Sequence, residues 1–83
     1  MYSIRISRQA LKDLADLPKD YARLISQHID DLAKNPRPPN TKKLEIELGY
    51  SLRVGTYRIL YDIDDSLQSV TLYRVKHRRE AYR

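Results

Sequence analysis

Cysteine is absent from this chain. Without it no disulfide staple and no thiolate zinc site can form, and the composition suits a reducing compartment. Glycine is almost as scarce. Gly49 and Gly55 are the only two, so neither a P-loop nor a glycine-rich phosphate motif can be built. No apolar run approaches the ~20 residues of a membrane span. The opening stretch, MYSIRISRQA, lacks the apolar core of a signal peptide, so a cytoplasmic protein with no membrane partner is expected. The two histidines, His28 and His77, are far apart and show no HxxxH spacing, which argues against a catalytic metal site. Asp62, Asp64 and Asp65 do cluster, but at a predicted turn, where Asp is favoured for its hydrogen bonds to backbone. Neither a metal nor a small-molecule cofactor is expected, and no Ser-His-Asp arrangement is visible.

What the chain does have is positive charge. A net charge of +5 and an isoelectric point near 9.6 favour anionic partners, nucleic acid or an acidic protein before a membrane surface. That charge alone is compatible with ordinary solubility, but its distribution is uneven. Five of the ten residues from Arg74 to Arg83, RVKHRREAYR, are Lys or Arg, and only Glu80 is acidic. Such concentration is the electrostatic footprint of a polyanion site. Residues 1–83 make one domain with a thin core, since a chain this short buries roughly 60–65% of its unfolded surface.

Hydrophobic periodicity outlines the fold. Tyr2, Ile4 and Ile6 alternate with polar residues as in a half-buried strand. Ser7 is placed to cap a short helix carrying Leu11, Leu14 and Leu17 on one face. Pro18 fits the first turn of a second helix, in which Tyr21, Leu24, Ile25, His28, Ile29 and Leu32 form an apolar stripe. The short link makes an antiparallel helical hairpin. The segment Asn35–Asn40, NPRPPN, ends it. Strands are expected on Leu44, Ile46 and Leu48, on Leu52 and Val54, on Tyr57 to Ile63, and from about Gln68 to Lys76. The fold class is therefore α+β: an N-terminal strand, a helical hairpin, then a mostly antiparallel sheet of about four strands with helices on one face. If the Tyr57–Ile63 face takes the helices, Arg58 points to the other side. Alternation along the last strand gives Arg74 and Lys76 the parity of Val70 and Leu72, and leaves their face undecided.

Several groups have chemical potential. His28 lies in an apolar stripe and reads as a packed residue at the edge of the core. His77 follows a strand between Lys76 and Arg78, where it is a candidate general acid or a solvated tail residue. Arg53, Arg58, Arg74, Lys76, Arg78 and Arg79 converge from neighbouring strands and the tail. They make either a phosphate-gripping fork or a solvated edge with scattered ion pairs. Tyr50 and Tyr82 suit base stacking. Lys42 and Lys43 can track a phosphate backbone or guard a sheet edge.

Taken together, LEIELGYSLRVGTYRILYDID and YRVKHRREAYR resemble the RelE/ParE superfamily of bacterial and archaeal toxins, as do SRQALKDLADLPKD and the helix ending at Asn35–Arg37. The ending HRREAYR looks more like the RelE branch, whose members cleave messenger RNA in the ribosomal A site. The ParE branch poisons DNA gyrase instead. The resemblance implies a toxin with a cognate antitoxin partner and an mRNA-on-ribosome substrate. It implies metal-independent attack of a ribose 2′-OH on the adjacent phosphate. Arg58 matches the Arg at the scissile phosphate, Lys76 or Arg78 the second phosphate-gripping Arg, and Tyr82 the C-terminal Tyr that stacks on or orients the substrate. Gly49 and Ser51 stand where some members carry two strand lysines, one of them the general base. His77 is then the substitute, completing a catalytic set of Arg58, His77, Arg78 and Tyr82. Lys42, Lys43, Arg53, Arg74, Lys76 and Arg79 are expected to bind RNA around it.

Overall fold

Ser7 starts the first helix as its position predicts, with Oγ accepting a hydrogen bond from the Ala10 N–H at 3.0 Å. A cap of this kind contributes about 1 kcal/mol. The computed structural model describes residues 1–44 and 49–77. In chain order these form β1 (Ser3–Ile6), α1 (Arg8–Ala15), α2 (Lys19–Leu32), β2 (Thr41–Lys43), β3 (Tyr50–Val54), β4 (Tyr57–Asp64) and β5 (Ser69–His77). The strands make one sheet in the order β1-β5-β4-β3-β2. β1 runs parallel to β5, and every other neighbouring pair is antiparallel. The expected α+β architecture is present, with four strands after the helices and the N-terminal strand as the fifth. No helix is long and apolar enough to cross a membrane among the described residues.

The helices bury their stripes on one face of the sheet. Ile25, Ile29 and Leu32 of α2 and Ala10 of α1 join Leu52, Val54, Ile59, Tyr61, Val70, Leu72 and Val75 in a single core. Each such aliphatic residue contributes roughly 1.5–3 kcal/mol on full burial. Two stripe residues differ from expectation. Leu11 and Leu24 are 54% and 40% exposed, because buried Ala10 and partly buried Leu14 form the inward line of α1, continued by Leu17 after it, and Ile25 and Ile29 that of α2. Pro18 is the residue just before the first turn of α2, where its missing N–H costs nothing.

A strand, β2, forms at Thr41–Lys43, ahead of the one expected on Leu44, Ile46 and Leu48, whose residues 45–48 lie outside the described part of the chain. Contacts of the Pro-rich link set this register. The Tyr61 hydroxyl donates to the Pro36 carbonyl at 2.7 Å and lies 3.1 Å from Thr41 Oγ1. Gly49, at φ +116°, passes so close to β4 that a Cβ there would sit 2.6 Å from the Tyr61 carbonyl oxygen. Only glycine fits that approach.

β5 carries an irregularity that decides which of its side chains share a face. Tyr61 pairs with Leu72 but Leu60 pairs with Arg74, so Tyr73 is an extra residue in the ladder. This β-bulge resets the alternation. Before it Val70 and Leu72 face the core; after it Val75 does, and Arg74 and Lys76 turn to the opposite side.

Candidate functional site

With the bulge in place, three cations from three strands fall into one row. Arg53 on β3 is directly opposite Arg58 on β4, and Arg58 is directly opposite Lys76 on β5. Directly opposed residues on one face have Cβ atoms about 4.5–5.5 Å apart, and like charges so placed are destabilising. The row therefore concentrates positive charge on one face of the sheet. Beside it runs a second row of Lys42, Ser51, Leu60 and Arg74. Arg58 is half-buried and its Nη1 donates to Ser51 Oγ at 3.5 Å, while Arg53 and Lys42 are exposed. A half-buried guanidinium is less screened than a fully solvated one, so its field is felt more strongly by a phosphate.

Not every expected residue joins this face. His77 pairs with Tyr57, one step along from the Arg58–Lys76 pair, and so points to the helix-bearing side. Its ring meets Tyr57 edge-on at 5.4 Å, and Tyr57 in turn contacts Tyr21 at 4.8 Å. His77 lines an open cleft with Asp13, Asp16, Leu17, Tyr57 and Val75. The expected grouping of His77 with Arg58 on one surface is thus not assembled. Lys43 pairs with Tyr50 and also lies on the side away from the row. Arg78, Arg79 and Tyr82 lie outside the described residues.

Arg74 faces the row by register, but its guanidinium is drawn to the sheet edge by Asp13 of α1. Arg74 Nε donates to Asp13 Oδ2 at 2.8 Å, and the same oxygen accepts the Val75 N–H at 2.9 Å. Burial pushes the Asp13 carboxyl up, but hydrogen bonds from Arg74, Val75 and Gln9 outweigh it and hold it below the ordinary value. Nothing in the sequence links Asp13 to a strand 61 residues away, and it went unnoticed there.

Tyr50, a candidate stacking residue, belongs to a different cluster. Its ring stacks on Tyr61 at 5.8 Å, and Arg37 lies over it at 5.4 Å. Arg37 Nη2 donates to Asp65 Oδ2 at 2.9 Å, and the Tyr2 hydroxyl donates to Asp65 Oδ1 at 2.6 Å. The pairing holds the Asp65 carboxyl low through Arg37 first and Tyr2 second, and it raises the Arg37 guanidinium.

Comparison with known proteins fits this geometry. A family model described as the ParE toxin of type II toxin–antitoxin systems, parDE, matches residues 4–82. This chain belongs to the ParE toxin family, within the RelE/ParE superfamily. Toxin RelG of Mycobacterium tuberculosis is 37% identical over 99% of this chain and 97% of its own. Among solved structures, the RelBE2 toxin–antitoxin complex of M. tuberculosis aligns with a TM-score of 0.83 at 38% identity, covering 93% of this chain and 98% of that one. The archaeal RelE–RelB complex of Pyrococcus horikoshii gives 0.83 at 29% identity, covering 93% and 94%. The ParE-family chain described here is thus a RelE-like toxin of a type II toxin–antitoxin system.

Proposed function

We propose that this toxin is an endoribonuclease that cuts mRNA on the ribosome and is held in check by a cognate antitoxin. The observation carrying this reading is the Arg53–Arg58–Lys76 row on the open face of the sheet. In the proposed reaction the 2′-OH loses its proton to solvent water as its oxygen attacks the adjacent phosphorus, the P–O5′ bond breaks, the departing 5′-oxygen takes a proton from water, and a 2′,3′-cyclic phosphate and a 5′-hydroxyl result. Arg58 stabilises the extra charge on the pentavalent phosphate, Lys76 holds the same or the neighbouring phosphate, and Arg53 and Lys42 guide the flanking backbone. Tyr82, with Arg78 and Arg79 beside it, is assigned to the nucleotide. His77 is assigned no proton-transfer role, since its side chain points toward Tyr57 and away from Arg58. The ribosome supplies much of the positioning, which in well-oriented reactions is worth roughly 7–11 kcal/mol of barrier. An acidic antitoxin segment laid over the row would neutralise it, as the antitoxin-bound RelE-type neighbours make reasonable.

Primer extension on mRNA during translation tests the proposal. Wild type should give codon-phased cuts that disappear in Arg58→Ala, whereas His77→Ala, whose side chain lies on the face away from Arg58, should still give them. Intact mRNA beside active toxin would sink the nuclease reading. The second reading is a non-enzymatic gyrase poison, favoured by the family model's ParE description and by Gly49 and Ser51 standing where lysines serve as bases. It predicts trapped gyrase cleavage complexes in a supercoiling assay, and their absence removes it.

A further inference from the structure

The phosphate row exists only because β5 changes phase at Tyr73. In a regular strand Arg74 and Lys76 keep the parity of Val70 and Leu72, and a one-residue slip sends every side chain to the other face. Lys76 would then point into the core side and His77 would lie beside Arg58. A bulge is costly to hold because its extra residue leaves backbone groups without ladder partners. Here the burden is heavier, since β1 pairs with β5 only from Ser69 to Leu72 and leaves the rest of that edge uncovered by strand.

Two side chains from the first helical segment meet those backbone groups. The Ser7 hydroxyl, which already caps α1, donates to the Tyr73 carbonyl at 2.9 Å. Asp13, two turns later, accepts the Val75 N–H at 2.9 Å and the Arg74 Nε–H at 2.8 Å. The two contacts bracket the bulge, one on each side of Arg74. The Asp13 side chain is only 12% exposed, so the pair with Arg74 is little screened. Ser7 also ties the end of β1 to β5 through its N–H on the Leu72 carbonyl at 2.9 Å.

We infer that Ser7 and Asp13 are positioning residues for the phosphate row: they clamp the bulge at Tyr73 and so hold Lys76 opposite Arg58. Neither residue touches substrate; both act through Lys76. The inference rests on the nuclease reading of the row. Arg74 takes a part distinct from its neighbours, as a strut joining α1 to β5.

A double-mutant cycle separates this role from general destabilisation, using single-turnover cleavage of ribosome-bound mRNA by the full chain. Lys76→Ala should slow cleavage about 10–100-fold, the loss of one charged hydrogen bond of roughly 1.5–3 kcal/mol. Asp13→Ala should slow it about tenfold in the wild-type background, yet less than about twofold in the Lys76→Ala background, because coupled residues are not additive. Asp13→Asn keeps an oxygen that can accept the Val75 N–H and should recover part of the loss. Equal tenfold losses in both backgrounds, or no loss at all from Asp13→Ala, overturn the inference while leaving the nuclease reading intact. Should Asp13→Ala fail to fold by circular dichroism, the same cycle with Asp13→Asn decides, sub-additive losses supporting the clamp and additive losses overturning it. Wild-type protein that leaves the mRNA whole overturns both.

Discussion

The two ends of β4 treat arginine in opposite ways. At the far end, Arg37 is tied to Asp65 and Tyr50, and Tyr2 shares the same carboxylate, so one cation binds the Pro-rich link, the N-terminal strand and the β4–β5 turn together. At the near end, Arg53, Arg58 and Lys76 stand side by side, and among the described residues no acidic side chain pairs with Arg53 or Lys76. One end spends its charge on holding the fold. The other gathers three cations on one face, as the proposed function requires of a polyanion site. The same residue type is thus a clasp in one place and, on the proposed reading, a receptor in the other, and the difference lies in what stands across the strand from it.

The comparison breaks most visibly if Arg58→Ala, at the receptor end, is not a large functional loss. Removing a donor aimed at developing charge typically lowers a rate about 10²–10³-fold. Cleavage should fall by that amount in single-turnover assays, while the variant still folds by circular dichroism. A variant that melts lower and cuts normally would make Arg58 a structural residue. Next in size is Gly49→Ala, which belongs to the clasp end. A side chain at φ +116° against the Tyr61 carbonyl should cost about 1–3 kcal/mol in denaturant unfolding, and an unchanged midpoint would contradict the close approach. Arg37→Ala should lower the melting temperature modestly and leave cleavage unchanged. A large drop in cleavage with no change in melting would exchange the roles of the two ends.

The smallest effect concerns acid. Asp65 and Asp13 both titrate below the ordinary carboxylate value of about 3.9 in the folded state. Their stabilisation is therefore fully present above roughly pH 4 and is lost as pH falls through the lowered folded values. Thermal melts from neutral to strongly acidic pH should show a decline below about pH 4 that is shallower in Asp65→Asn. Parallel curves for wild type and variant would remove Asp65 from the account.

Much of the fold was legible in the residues. The Ser7 cap, the two helices, the turn at Gly55 and the sheet-forming Tyr57–Ile63 face follow from local chemistry that tertiary structure did not override. Three things were not. β2 at Thr41–Lys43 was not foreseen, and Tyr61 anchors the link beside it from across the sheet, a contact no local pattern records. Ala10 replaces Leu11 in the core because a small residue gives a weak periodic signal. The bulge at Tyr73 is silent in sequence, as alternation carries no mark for one extra residue, and it alone decides that Lys76 joins Arg58 while His77 does not. The cations of the site and the face of Arg58 could be read off; the face of Arg74 and Lys76 could not.

The chemistry of the cut end tests the central claim most directly. mRNA cleaved by wild type on programmed ribosomes should carry a 2′,3′-cyclic phosphate on its 3′ end, and Arg58→Ala should yield almost none. Fragments bearing a 3′-hydroxyl, cleavage that Arg58→Ala leaves intact, or no cleavage by the wild-type protein would contradict it.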